Sequence, residues 1–595
     1  MDASTTLFQL LRELGLEVEV YKFPSDGSSM VQMYRLPIGW DVYDAYVKIV
    51  EPREKLLHRL SEAPTLVSLD SPPTNGPVEA EVVYVGNGER DEDYEGKNVN
   101  GKIVLAHGRL TSRVYKVAVK HGAIGVVHYR LWGNPKAVPY TSLWFNAEEY
   151  DKYKSFSIGI SRENAEYILS LLEKGEKVKL EVYVDSRFTF GNYLPVVTAT
   201  VGDGELEFWL TAHLCHPAPG AHDNLSGVAA TVEALITLHK LIERGEIGRL
   251  KLRIRGVWGP EYIGYLKFIE KYENPEQHIV AGINMDMVGA DTSKLKSTIQ
   301  IVKSPYLITP SPLDMLVEEK IRERLKSGEI SIPHFGPPPV VKEKFDVVGY
   351  SPGSDHDILI GYGIPSVMIL EWPDEYYHSN LDLPENINFE LLSLEASTAS
   401  AIATYYAVLD EGEVLRLCKK LYYYTLNKFN NVMNHMYSSD DVESWSGPVR
   451  ANIELLPLAF GNAVERLKHM LKCEFDMPTL NIENNVIEPI NGELLDSEEF
   501  KVKYVSRYRG PISISFLRER LGNDYNRFEG VVKSLKSIMP IYLLLLSLGK
   551  CRSLGEAFKI VMGELGPVNL DSLKEAVDLL EKAGILCKVD AGGGI

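Results

Sequence analysis

The sequence predicts an α/β protein with a mostly parallel central sheet and helices on both faces, preceded by a β-rich segment and followed by a helical region. Three observations predict this. Strand-like and helix-like segments alternate from about residue 186 to 408, polar residues able to do chemistry fall where the strand-like segments end, and composition changes on either side of that block.

The amino-terminal stretch MDASTTLFQLLRELGLEVEVYKF reads as a short amphipathic helix followed by strand, and its early acids and missing basic start argue against a signal peptide. Pro64 and then Ser71-Pro72-Pro73-Thr74-Asn75-Gly76-Pro77 punctuate a boundary. A β-rich stretch follows, with VVYVGNG, NVNGKIVLAHG and AVKHGAIGVV in order. In the α/β block, strands are expected over 206–212, 250–257, 279–285 and 366–370, and helices over 227–241, 264–272 and 313–325. Beyond Gly412 the chain turns leucine- and lysine-rich, with helical periodicity over 414–427, 451–471, 526–548 and 553–562. Its tail, through 572–583 and Gly584-Ile585-Leu586, resembles the last helices and wing of a winged-helix module.

Composition bounds the partners. A chain of 595 residues exceeds one core, and 45% hydrophobic with 24% charged residues is the balance of a globular protein. Sixty-three basic against 82 acidic residues give a net charge of −19, which repels nucleic acid and anionic membranes. The apolar run Ile541-Tyr542-Leu543-Leu544-Leu545-Leu546 is far short of the roughly 20 residues of a membrane span. Five scattered cysteines form neither a disulfide framework nor a CxxC zinc pair, so a reducing cytoplasm is expected.

The chemistry concentrates in islands just after predicted strands. The first is HLCHPAPGAHDNL, with His213, Cys215, His216, His222 and Asp223; the second is GPEYIG, with Glu261 and Tyr262. NMDMVG carries Asp286, GSDHDIL carries Asp355 and His356, and YYHSNLD carries His378. Because loops at the carboxyl ends of parallel strands share one sheet edge, the fold is expected to bring them together. Imidazole and carboxylate donors suit zinc or another first-row divalent ion, with cobalt or manganese as alternatives. A carboxylate shared by two ions holds them about 3.5–4 Å apart, and Glu261 is placed to take a proton from the attacking water.

In this order, and around the β-rich stretch, these motifs resemble the zinc aminopeptidase family, which includes the bacterial leucyl aminopeptidases, glutaminyl cyclase and the peptidase-like ectodomain of the transferrin receptor. The β-rich stretch itself resembles the protease-associated domain inserted in many peptidases. The resemblance implies residues 1–63 as the start of the peptidase domain, 64–185 as the insert and 186–410 as the catalytic domain, with 411–595 as a helical C-terminal domain. It implies that His213 and Asp286 hold one metal, that Asp223 bridges and that His378 serves a second, with Glu261 as base to a metal-activated water. It further implies peptides with a free amino terminus as substrates and a homo-oligomer that cages the site.

Two departures stand out. The family opens His-x-Asp, whereas position 215 is Cys, and the usual Glu-Glu-x-Gly is Glu261-Tyr262-Ile263-Gly264. Tyr262 therefore stands where a ligand belongs. Either the second ion is weak or lost, or a neighbour replaces the ligand, and His216, His222, Asp355 and His356 are the neighbours at hand. Aligning on Pro260-Glu261 instead makes Glu261 the ligand and removes the base; the glycine spacing supports Glu261 as base. By residue type alone, His216 reads as a loop histidine packed on Pro217, His222 as an exposed neighbour, and Cys215 as a buried packing thiol. Asp355 and His356 suit a role behind the metals or toward substrate. Rival functions are an amide hydrolase or cyclase on a modified or glycan-linked amine, and a metal-free, catalytically inactive peptidase-like binding protein.

Overall fold

The alternation between residues 186 and 408 resolves into an eight-stranded sheet in a computed structural model, which describes residues 2–327, 344–477, 479–482, 495 and 497–589. The strands lie in the order Glu17–Ser25, Asn192–Val201, Arg253–Trp258, Glu207–Thr211, Ile279–Met285, Ser366–Trp372, Thr298–Val302 and Phe345–Val348. The four from Arg253–Trp258 to Ser366–Trp372 are mutually parallel. Asn192–Val201 and Thr298–Val302 flank them antiparallel.

Burial on both faces explains why the central strands read as unbroken apolar runs. Phe208 and Leu210 face the helices Gly227–Glu243 and Phe389–Val408, whereas Trp209 between them faces Ile263–Ile269 and His356–Gly361. The arginines that alternate through the neighbouring strand are satisfied internally. Buried Arg255 meets the Glu207 carboxylate at 2.8 Å, and Glu207 also accepts from the Trp209 indole and the Tyr272 hydroxyl.

The second sheet has seven strands, ordered Lys55–Arg59, Gly39–Glu51, Lys179–Thr189, Val78–Gly86, Ile103–Ala106, Gly125–His128 and Phe156–Gly159. Its boundary corrects the expected break at residue 64. Gly39–Glu51 pairs along its length with Lys179–Thr189, so residues 39–59 belong to this sheet and only the preceding segment joins the first. The reason is non-local: the alternating run that contains Trp40 and Tyr43 finds its partner strand more than a hundred residues later, beyond the reach of local punctuation.

Asp70 gives this unit a pH dependence. It is buried, sits at φ +64° and accepts the Phe145 amide at 3.0 Å, and burial pushes its pKa up from 3.8 to about 7. A carboxyl whose folded pKa is raised contributes stability that is fully present below about 3.8 and is lost as pH rises through about 7. Asp70→Asn, which keeps the acceptor and removes the charge, is therefore expected to raise the thermal midpoint at pH 8, with the gain shrinking toward pH 4. An equal shift at both pH values would refute the assignment.

The C-terminal region divides in two. The helices Glu411–Tyr437 and Ser446–Leu471 extend the core of the first sheet through Leu417, Leu421, Leu456 and Phe460. Beyond them a separate core forms around Leu544, Phe558, Leu573 and Leu580. Here three short strands, with Lys503–Ser506 between Arg552–Ser553 and Leu586–Val589, accompany the helices. The single helix expected over 526–548 is two, Tyr525–Ser534 and Met539–Ser547. Lys536 turns the chain at φ +62° and Pro540 opens the second helix, where a missing N–H costs nothing.

Candidate metal centre

Four parallel strands end at one edge of the first sheet, and each is followed at once by a functional residue. His213 comes after Thr211, Glu261 after Trp258, Asp286 directly after Met285, and Asp374 and His378 after Trp372. There the chain brings together the four residues expected as ligands. His213 Nε2 lies 3.2 Å from Asp223 Oδ1 and 3.3 Å from Asp286 Oδ1, and His378 Nε2 lies 3.0 Å from Asp223 Oδ2. Asp223 thus offers one oxygen to each histidine, the disposition of a bridging carboxylate.

A tight turn over Ala221–Ser226 sets that orientation. Asp382, from the YYHSNLD segment, accepts the His222 and Asp223 amides at 2.7 and 3.0 Å. The Asn224 carboxamide accepts the Gly227 and Met287 amides and donates to the Met285 carbonyl, so it both starts the following helix and ties it to the Asp286 loop. With all this bonding around them, the buried atoms Asp223 Oδ2, Asp286 Oδ1 and His378 Nε2 make no well-aligned hydrogen bond, although Asp223 Oδ2 and His378 Nε2 stand 3.0 Å apart and Asp286 Oδ1 is 3.3 Å from His213 Nε2. Buried polar atoms are ordinarily paired, so three such converging atoms fit a divalent cation.

Glu261 borders this cluster. Its carboxylate shares a group with His213 and Asp286 in which the donor atoms lie within 4.8 Å of one another, and Oε2 is 3.8 Å from His216 Nε2. Burial raises its pKa to about 7 against the opposing charges of His213 and His216, which suits a group that must both accept and release a proton. Asp355, fully buried, accepts the Tyr262 amide at 2.8 Å, and burial together with the Glu261 charge holds its pKa well above the usual carboxylate range.

Tyr262 is turned away from the cluster. Its hydroxyl donates to Asp357 at 3.0 Å and its ring packs 5.6 Å from that of Tyr34. His356 is buried with Nε2 3.0 Å from the Ser351 carbonyl, and it belongs to no donor cluster among the described residues.

Three of the expectations by residue type are overturned. His222 is not an exposed neighbour but fully buried, with Nδ1 2.8 Å from Asp374 and Nε2 3.4 Å from Glu371. Burial lowers its affinity for a proton, but these two carboxylates outweigh that and raise its pKa to about 10. Cys215 is exposed; its Sγ lies 3.8 Å from His213 Nδ1 and accepts the Glu261 amide at 3.4 Å, so it lies against the ring nitrogen of His213 that does not face Asp223 and Asp286. His216 does not simply pack on proline, for its Nδ1 lies 3.0 Å from Asp223 Oδ1.

The second sheet also reaches the site, which no motif announced. The Arg130 guanidinium donates to the Tyr377, His378 and Tyr140 carbonyls, and the Tyr140 amide donates to the His378 carbonyl at 2.7 Å. The Tyr140 ring stands 4.9 Å from that of His378 and 5.6 Å from that of His216. Its sequence surroundings, Ala137-Val138-Pro139 before it and Thr141-Ser142-Leu143 after it, carry no signal of such a role.

A family described as a domain of unknown function (DUF4910) matches residues 31–301. No curated protein matches the chain in sequence. Solved structures similar to it include a zinc aminopeptidase from Bacillus subtilis, with 20% identity over 69% of this chain and 89% of that one and a TM-score of 0.48. An aminopeptidase from Aneurinibacillus sp. strain AM-1 is 22% identical over 68% of this chain and 87% of that one, with a TM-score of 0.44. A putative peptidase from Clostridium acetobutylicum is 14% identical over 98% of this chain and 96% of that one, with a TM-score of 0.45.

Proposed function

We propose that the chain is a metal-dependent aminopeptidase that hydrolyses the first peptide bond of substrates with a free amino terminus. The observation that carries this reading is Asp223 standing between His213 and His378, one oxygen toward each, with Asp286 and Glu261 alongside. His213, Asp223, Asp286 and His378 would hold zinc or a similar divalent ion, which when bound polarises the scissile carbonyl and acidifies the attacking water. Glu261 accepts that water's proton and returns it to the departing amine. Asp355 and the Tyr262 amide behind it fix the backbone that carries Glu261. Arg130 clamps the His378 loop by its carbonyls, the Tyr377 ring stacks on that of His378, and the Tyr140 ring packs against it at a tilt.

The acidic surroundings of the cluster favour a substrate ammonium over a blocked terminus. Amino-acid p-nitroanilides should therefore be turned over and their N-acetyl counterparts should not. Activity confined to blocked substrates would instead establish the amide-hydrolase alternative.

A further inference from the structure

The position that should supply a third donor to the second ion is filled by Tyr262, and its hydroxyl is already committed to Asp357. Of the four neighbours able to replace it, three share no donor cluster with Asp223 and His378 among the described residues. His222 has both ring nitrogens on Asp374 and Glu371, Asp355 lies against the Tyr262 amide, and His356 faces the Ser351 carbonyl. Among the described residues, His216 is the one that joins Asp223 and His378 in a donor cluster.

The run His216-Pro217-Ala218-Pro219-Gly220, with Gly220 at φ +54°, turns the chain so that His216 and Asp223 face each other across it. His216 Nδ1 is then 3.0 Å from Asp223 Oδ1, and the His216 ring is 4.6 Å from that of His378 and nearly perpendicular to it, at 83°. One donor atom from each of His216, Asp223 and His378 lies within 4.8 Å of the others. The set of His213, Glu261 and Asp286 shares no residue with this one; the two adjoin at Asp223, which touches His213, and at His216, which groups with His213 and Cys215 and lies 3.8 Å from Glu261.

We propose that His216 replaces the missing carboxylate and, with Asp223 and His378, holds a second divalent ion. The proposal rests on reading His213, Asp223 and Asp286 as the first metal site. Its chemical consequence is distinct from that of the acid it replaces. Two imidazoles and one shared carboxylate leave the second ion with less negative charge around it, and they favour zinc, cobalt, nickel or copper over magnesium or calcium. The His216-Pro-x-Pro-Gly turn and the tyrosine at 262 are then two halves of one exchange: the ligand has moved from the loop after one central strand to the loop after its neighbour.

The test is metal binding, independent of turnover. The full chain, stripped with chelator and titrated with Co²⁺, should bind two ions by elemental analysis, with visible absorption developing in two steps. His216→Ala should keep the first step and weaken the second by about 100-fold or more, since even partners behind a ligand are worth 10–100-fold. His216→Glu should restore the second ion with an altered spectrum, because an oxygen donor replaces a nitrogen. His216→Asn serves as a second truncation should the alanine variant misfold, as checked by circular dichroism. Two ions retained in a folded truncation, or only one in the unaltered chain, would overturn the proposal. No ion in the unaltered chain, or both retained in His213→Ala, would overturn the underlying metal-site reading instead.

Discussion

Glu261→Gln is expected to lower kcat by about 10²–10⁴-fold, the usual span for a general base, while the bound metal stays at the level of the unaltered chain. The amide has the size of the carboxylate, and the contact that positions residue 261, its main-chain N–H on Cys215 Sγ, survives the change. What disappears is the capacity to take a proton. Burial, set against the charges of His213 and His216, places this carboxyl near pH 7, and a bound cation would pull it lower. The acid limb of kcat/KM should therefore lie below pH 7 in the unaltered enzyme, since only the ionised form accepts a proton, and should vanish in the variant. Full activity in Glu261→Gln would show that the base is another group. Lost metal together with lost activity would mean that Glu261 is a ligand, as the alternative alignment on Pro260-Glu261 has it.

What the sequence reveals of this site is set by how local each signal is. His213, Glu261, Asp286 and His378 are legible because each closes a short apolar run, and parallel strands place such closures side by side. The central sheet is legible for the same reason: Phe208-Trp209-Leu210 and the run from Ile279 to Ile283 are apolar throughout. His216 and His222 are not legible, since both lie in one polar loop and differ only in what folds back on them. His222 meets Glu371 and Asp374 from a strand and loop far along the chain, and its burial follows from those partners. His216 depends on the return of the Pro217–Gly220 turn toward Asp223. Tyr140 and Arg130 come from a second sheet whose first long strand, Gly39–Glu51, reads as part of another unit until its pairing with Lys179–Thr189 is seen. Periodicity reports which face of an element is buried; it carries no information about which distant loop lands on it.

Asp223→Asn is expected to have the widest effect of any single change, because it acts on three histidine donors at once. The side chain is 3% exposed and touches His213, His216 and His378 at 3.0–3.2 Å. An asparagine keeps the shape but loses the charge, and it presents one oxygen where two are used, so it can face one histidine side only. Metal content should fall below half that of the unaltered chain after dialysis, and activity should fall at least as far as in Glu261→Gln. The two variants separate on addition of metal. Raising free zinc should restore part of the activity of Asp223→Asn by mass action, whereas Glu261→Gln, already loaded, should not respond. The amides of residues 222 and 223 would still be held by Asp382, so the turn itself should persist and the variant should remain folded. Asp223→Asn with full metal content would mean that the carboxylate bridges nothing, and both the aminopeptidase reading and the assignment of His216 would fall with it.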